Sequence, residues 1–166
     1  MPIELTFTRT FDASAASVYA AWTDPELVAR WWGPHRFTCP SAEMDVRVGG
    51  TSFVTMRAPE DWGGRDFPSA WTYDLVEPGR RLVFVHRFVG ADRTPVAPQT
   101  LGLPDGVPAE VGHVLTFRDL DDGRSEMTIT ESGYTSEAAL DTSRAGLVET
   151  LEKLAATLAD VAVERR

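Results

Sequence analysis

The chain has 166 residues, 43% of them hydrophobic, which predicts one domain over residues 1–166 that buries about 70% of the surface exposed by the unfolded chain. The net charge of -9 disfavours nucleic acid and anionic membrane surfaces as partners. A single cysteine, the lack of signal-peptide features and the absence of any apolar run of about 18 residues predict a soluble, cytoplasmic protein.

The first 31 residues predict one strand followed by two short helices. Hydrophobic and polar residues alternate over residues 3–11, as in a strand with one buried face. Ser14 can cap the first helix, and Asp24 can cap the second, which ends at Trp31.

Two adjacent tryptophans, Trp31 and Trp32, mark the junction between the second helix and the strands that follow. Gly33 and Pro34 come directly after them and end the helix, so both indoles are held where helix meets sheet. We interpret the pair chiefly as packing that closes one end of the fold, with ligand contact as the alternative.

The remainder of the chain predicts a sheet and then a long helix. Six further strands are expected, over residues 36–48, 51–58, 69–77, 81–89, 111–119 and 124–132. Glycine-containing turns between neighbouring strands make the sheet antiparallel. From Leu147 onward, leucines recur at spacings of four and three, which predicts one amphipathic helix beginning near Ser136. The fold class is therefore α+β, with a curved seven-stranded antiparallel sheet buried against a C-terminal helix.

Several predicted strand faces combine large apolar side chains with one polar group. Small-molecule pockets have this composition, because apolar walls bind the ligand and a few polar groups orient it. Filling the core is the alternative for each residue. The candidate ligand contacts are Trp71, Tyr73, Phe84, His86, His113, Leu115, Phe53, Leu147 and Trp62.

Two long loops are candidates for closing such a pocket. The loop over residues 58–68 carries Trp62 and Phe67 beside two glycines, so it can act as a flap or as a plain hairpin connection. The stretch from Gly90 to Glu110 contains four prolines and is longer than an ordinary hairpin. We expect it to be a lid or a partner surface.

Motifs of the common cofactor-dependent and hydrolytic enzymes are missing from the sequence. There is no nucleophile elbow, phosphate loop, dinucleotide fingerprint or zinc-protease motif. Three histidines and one cysteine at distant spacings form no recognisable metal set. We predict no cofactor and no metal, and we assign no catalytic residue.

Short motifs along nearly the whole chain carry a family resemblance. They are Arg9-Thr-Phe11 with Ala13, Val18 to Glu26, Trp31-Trp32-Gly-Pro34, Val48-Gly-Gly50, Glu77 to Val83 and Leu151-Glu-Lys-Leu154. In this order they resemble the START-like, or Bet v 1-like, helix-grip superfamily and, within it, the family named after the activator of the heat-shock-protein-ninety ATPase. The resemblance implies a sheet wrapped around the final helix, a hydrophobic cavity between them and a place in the stress response.

One position departs from the pattern of that family. The family commonly has Gly-Trp near the start of the final helix, where this chain has Gly146-Leu147. Leucine is smaller than tryptophan, so the implied cavity is larger or differently shaped here, and the ligand of a relative does not carry over.

Three functions of different classes follow from these observations. The first is binding of a small hydrophobic or aromatic molecule, as carrier, sensor or scavenger. The second is an enzyme resembling polyketide cyclases or aromatases, in which His86, His113 and Tyr73 transfer protons. The third is a chaperone partner, although the chain leaves no room for the additional N-terminal domain of the eukaryotic co-chaperone. The resemblance also implies that a homodimer can form.

Overall fold

The computed structural model describes residues 2–166 as an open antiparallel sheet of seven strands, with two short α-helices early in the chain and a long one at its end. The strands follow the order β1-β7-β6-β5-β4-β3-β2 across the sheet. They are β1 (Ile3–Phe11), β2 (Thr38–Glu43), β3 (Thr51–Arg57), β4 (Asp66–Glu77), β5 (Arg81–Phe88), β6 (Val111–Asp119) and β7 (Ser125–Tyr134). The α-helices are α1 (Ala15–Thr23), α2 (Pro25–Trp31) and α3 (Glu137–Glu164). The predicted α+β, helix-grip fold class is confirmed.

Each α-helix begins at the cap that the sequence predicts. The Ser14 side chain accepts a hydrogen bond from the Ser17 backbone, and the Asp24 side chain accepts one from Glu26. Ser136 accepts one from Ala139 at the start of α3. These bonds satisfy backbone N–H groups that the first helical turn leaves without a partner.

Three strands, β2, β4 and β7, differ from the prediction by more than one residue at an end. β2 covers residues 38–43 rather than 36–48, and its register with β3 shifts between Thr38 and Ser41. Pro40 lies at this shift and cannot donate to the ladder, which a strand at the edge of the sheet tolerates. β4 begins at Asp66, three residues early, where it pairs with Arg57 of β3. β7 continues to Tyr134, two residues beyond the prediction.

Aromatic side chains fill the core between the sheet and the short helices. Trp22 lies edge-on to Trp31 at a centroid distance of 4.7 Å, and Trp71 stacks on Phe84 at 5.0 Å. Leu151 and Leu154 of α3 are fully buried in the same core. No helix among residues 2–166 has the length and apolar character that crossing a membrane requires.

Candidate functional site

A pocket of about 420 Å³ lies between the sheet and the first half of α3. Volumes of this size are typical of sites for small organic molecules. The connection from α2 to β2, the loop before β4 and the loop before β6 complete the wall. Its apolar lining consists of Trp32, Pro34, Phe37, Met56, Trp62, Phe67, Phe88, Leu103, Pro104, Val107, Val111 and Leu147.

Some of the sequence-predicted ligand contacts line this pocket and others do not. The four that line it are Trp62, His86, His113 and Leu147. Four others are fully buried in the core, namely Trp71, Tyr73, Phe84 and Leu115. Phe53 lies on the other face of the sheet, because its strand neighbours Ser52 and Val54 face the core. The Arg93 guanidinium packs over the Phe53 ring, 4.1 Å from the ring centroid. Ligand contact by any of the nine stays a prediction.

The strand register brings the polar residues of the pocket together. His113 of β6 lies directly opposite Glu131 of β7. On the other side of β6, His86 of β5 pairs with Val111, two residues before His113. The ring centroids of His86 and His113 lie 5.8 Å apart. All three side chains are buried and form one polar end of a mostly apolar pocket, to which the α3 face adds Thr142, Ser143, Glu149 and Thr150.

A bulge in β7 adds Tyr134 to this group. Ser132 pairs with Glu4 and Tyr134 with Ile3, so Gly133 is the extra residue, and its φ of +113° suits glycine. The bulge lets residues three apart share one face, and the Tyr134 hydroxyl donates to Glu131 Oε2 at 2.7 Å. Neither residue was predicted as part of a site from the sequence, although an isolated glycine near the end of a strand signals a bulge.

The His113 ring lies between a backbone carbonyl and the Glu131 carboxylate. His113 Nδ1 lies 3.0 Å from the Val111 carbonyl oxygen, which only accepts, so Nδ1 donates. The other ring nitrogen, Nε2, faces Glu131 Oε1 at 3.5 Å. Burial raises the pKa of Glu131, but the charge and hydrogen bond of His113, with the Tyr134 hydrogen bond, outweigh burial and lower it overall.

His86 is the neutral member of the group. Burial, reinforced by the nearby charge of His113, lowers its pKa to about 3. Its ring packs edge-on to Phe88 at 4.8 Å and takes no part in the hydrogen bonds between His113, Glu131 and Tyr134. At neutral pH it therefore offers the pocket one N–H donor and one nitrogen acceptor.

Tyr73, the third predicted polar contact, lies apart from this group. Its hydroxyl is 2.8 Å from the Ser52 hydroxyl, inside the core. Burial raises the pKa of Tyr73 to about 12. Its hydroxyl is therefore a satisfied core group, and Tyr73 does not line the pocket.

The mouth of the pocket is formed by aromatic residues from two loops. Trp62, in a short 3-10 helix over Glu60–Trp62, is 59% exposed and lies 6.1 Å from Phe37 between ring centroids. The Arg36 guanidinium packs over the Trp62 ring at 4.9 Å and pairs with Asp61 at 2.6 Å. Leu103, Pro104 and Val107 of the proline-rich loop line the same pocket.

Lys153 of α3 holds the α2–β2 connection in place. Its ammonium donates to the carbonyl oxygens of Gly33 and Phe37 at 3.0 Å and to that of Pro34 at 3.4 Å. Burial lowers the pKa of Lys153. Because Gly33, Pro34 and Phe37 all line the pocket, this lysine fixes part of its wall from behind.

The two adjacent tryptophans have different surroundings. Trp31 is fully buried in the core, and its indole N–H donates to the Ala21 carbonyl at 2.9 Å. Trp32 lines the pocket. The structure therefore supports the packing interpretation for Trp31 and places Trp32 where the ligand-contact alternative requires it. Among residues 2–166, no three His, Cys, Asp or Glu side chains group as metal ligands.

Comparison with known proteins identifies relatives of the same fold. A protein from Chromobacterium violaceum is 26% identical, with a TM-score of 0.75 over 93% of this chain and 96% of that chain. One from Arthrobacter aurescens is 25% identical, with a TM-score of 0.76 over 95% and 86%. The AHSA1 protein from Silicibacter pomeroyi is 18% identical, with a TM-score of 0.74 over 98% and 99%, and shares the fold.

Among curated proteins, none matches the sequence significantly. Residues 12–159 match the family described as activator of Hsp90 ATPase homolog 1-like protein. This match covers most of the chain and confirms the resemblance expected from the short motifs. The chain therefore belongs to the family of activator of Hsp90 ATPase homolog 1-like proteins.

Proposed function

We propose that the protein binds a small hydrophobic or aromatic molecule in the pocket between the sheet and the first half of α3. The observation that carries this proposal is the composition of the pocket, with apolar walls around about 420 Å³ and one polar end at His86, His113 and Glu131. Apolar area removed from water supplies affinity, while a few fixed polar groups orient the ligand. Carrier, sensor and scavenger roles all require this property.

The surroundings of the pocket support a site that is held open. Lys153 fixes one wall from behind, and the Glu131 hydrogen bonds fix the polar end. Leu147 lines the pocket at the position where the family resemblance leads us to expect an indole, and a leucine fills less of the space there. A ligand would therefore enter a largely preformed space.

Titration with N-phenyl-1-naphthylamine, a neutral dye that fluoresces in apolar surroundings, tests the proposal. We expect saturable binding of one dye per chain. Leu147→Trp fills the pocket and should weaken binding by at least about tenfold, which corresponds to roughly 1.4 kcal/mol.

Ala156→Trp is the matched control, because Ala156 lies on the same helix but is exposed and outside the pocket. It should leave the dye affinity within about twofold, or roughly 0.4 kcal/mol. Absence of saturable binding, or an equal loss of binding in both variants, would contradict the proposal.

Proton-transfer catalysis on a bound aromatic substrate is a second candidate function. The placement of His113 against Glu131 at 3.5 Å, beside the neutral ring of His86, favours it, since general acids and bases need such placement at a pocket wall. The hydroxyl of Tyr73, which the sequence hypothesis included, is hydrogen-bonded to Ser52 within the core instead. Once a substrate is found, His86→Phe and His113→Phe should each lower turnover by about a hundredfold. Turnover unchanged in both variants would reject this candidate.

The remaining expectations from sequence stay predictions. They are a cytoplasmic location, a place in the stress response, homodimer formation and a chaperone partner. The ATPase rate of the cognate chaperone, measured with and without the purified protein, tests for a chaperone partner. Unchanged ATPase activity would contradict a chaperone partner.

A further inference from the structure

We infer that the pocket takes neutral aromatic molecules that carry a hydroxyl or N–H donor, and that it rejects carboxylates of the same shape. This inference rests on the proposed function, because it names the chemistry of the ligand for the same pocket. It is drawn from the acceptors at the polar end of the pocket and from the distribution of positive charge around it.

The polar end of the pocket presents acceptors to a ligand. At neutral pH the buried His86 ring has one nitrogen that accepts, and it is not used by the neighbouring hydrogen bonds of Glu131. Each Glu131 carboxylate oxygen has a second lone pair beyond the one used by Tyr134 or His113. A hydroxyl or N–H on the ligand can donate to these atoms without displacing any existing bond.

The pocket wall offers a ligand carboxylate no lysine or arginine among residues 2–166. His113 already faces the Glu131 carboxylate, so a ligand anion would have to compete with a buried partner. Burying a second carboxylate beside Glu131 costs several kcal/mol unless a cation pairs with it.

Two cationic side chains near the mouth, Lys153 and Arg36, are also engaged. Lys153 donates to three backbone carbonyls, and Arg36 pairs with Asp61. His35 at the rim pairs with Glu152 at 2.9 Å, and its backbone N–H donates to Glu149. With a net charge of -9, the whole chain adds a repulsive field for anions.

Three naphthalene probes of matched shape separate these effects. They are 2-naphthol, which donates; 2-methoxynaphthalene, which does not; and 2-naphthoate, which is an anion at pH 7.5. Isothermal titration of the full chain should give the tightest binding for 2-naphthol. Its affinity should exceed that of the ether by about fivefold or more and that of the carboxylate by about a hundredfold, since one hydrogen bond and one buried charge differ.

Two variants assign the selectivity to named groups. His86→Phe keeps an aromatic ring and removes one acceptor while leaving those of Glu131, so it should reduce the preference for naphthol over the ether by about twofold or more. Glu131→Gln removes the buried charge that repels a ligand carboxylate, so naphthoate binding should strengthen by about tenfold. Circular dichroism spectra show whether both variants are folded. If one is not, the three probes measured on the unmodified chain still test the ligand selectivity.

Each outcome distinguishes the inference from the function on which it rests. Binding of naphthoate as tight as that of naphthol overturns the ligand chemistry while leaving a binding pocket. Equal binding of naphthol and its ether overturns the donor requirement. Failure of all three probes and of N-phenyl-1-naphthylamine contradicts the pocket itself, and the inference falls with it.

Discussion

The two halves of α3 meet the sheet in different ways. Toward its C-terminus, Leu151 and Leu154 are sealed into a core that holds Trp22, Trp31 and Trp71. Toward its N-terminus, the same helix presents Thr142, Ser143, Gly146 and Leu147 to an open pocket. One helix and one sheet therefore build a closed end and an open end.

Indole hydrogen bonds follow the same division. At the closed end, Trp22 donates to the Met127 sulfur, Trp31 to a backbone carbonyl and Trp71 to Ser69, so each buried N–H has an acceptor. The pocket tryptophans, Trp32 and Trp62, lie toward the space that a ligand would occupy. The comparison separates residues that stabilise the fold from residues available for binding.

Truncation of a tryptophan at each end should give the largest contrast. Trp31→Ala removes a fully buried indole and its hydrogen bond, so the free energy of unfolding should fall by about 3–5 kcal/mol. Trp62→Ala, at the exposed mouth, should cost less than about 1 kcal/mol. Urea denaturation measures both, and similar losses in the two variants would break the distinction between the ends.

Acid should destabilise the protein because His86, a residue of the open end, is buried in its neutral form. His86 has a folded pKa of about 3, against an ordinary 6.5, so below pH 6.5 the unfolded chain binds a proton that the folded chain does not. Stability is therefore full above pH 6.5 and is lost as pH falls toward 3, by at most about 1.4 kcal/mol per pH unit.

Denaturation of His86→Phe between pH 5 and pH 6.5 isolates this contribution. Glu131, whose folded pKa is lowered, adds its own loss only at lower pH, as its carboxylate becomes protonated in the unfolded chain. The variant should have the shallower dependence of stability on pH in this range. Equal slopes in variant and parent would argue against a buried neutral His86.

Removal of the Lys153 ammonium should loosen the α2–β2 connection, which forms part of the pocket wall. Lys153→Met keeps the aliphatic stem but leaves three carbonyls without their charged donor, which should cost about 2 kcal/mol and weaken dye binding. Arg144→Met, on an exposed position of the same helix, is the control and should change stability by about 0.5 kcal/mol or less. An equal, small effect of the two substitutions would remove Lys153 from this role.

Two glycines at the open end should respond with opposite signs. A Cβ at Gly146 would meet no atom within 4 Å, so Gly146→Ala should stabilise the helix by about 0.5–1 kcal/mol. At Gly133 the φ of +113° and a Cβ 3.0 Å from the Glu110 carbonyl oxygen make Gly133→Ala destabilising, by more than about 1 kcal/mol. Thermal melts of both variants test the pair, and a stabilising Gly133→Ala would contradict the bulge geometry.

Sequence patterns predicted the fold well because they report local chemistry. Caps at Ser14, Asp24 and Ser136 and the leucine spacing of α3 act within a few residues, and all are present in the structure. The boundary of β7 was harder to predict, because its last residues follow a bulge that depends on pairing with β1.

The pocket was predicted only in part for the same reason. Alternation along the strands predicts that His86 and Trp71 both lie on the inward face of the sheet. It does not predict which end of that face the helix covers. Burial of Trp71 and Tyr73 in the core, and of His86 beside the pocket, depends on side chains far away in sequence. Glu131 and Tyr134 were missed because their meeting requires the Gly133 bulge.

The five tryptophan indole N–H signals provide the most direct test of a closed and an open end. Two-dimensional ¹H–¹⁵N NMR spectra should be recorded during titration with N-phenyl-1-naphthylamine, with each signal assigned by substitution. We predict that the signals of Trp32 and Trp62 shift in a saturable way, while those of Trp22 and Trp31 stay near their free positions. Shifts confined to Trp22 and Trp31, or none at saturating dye, would contradict a ligand pocket at the open end.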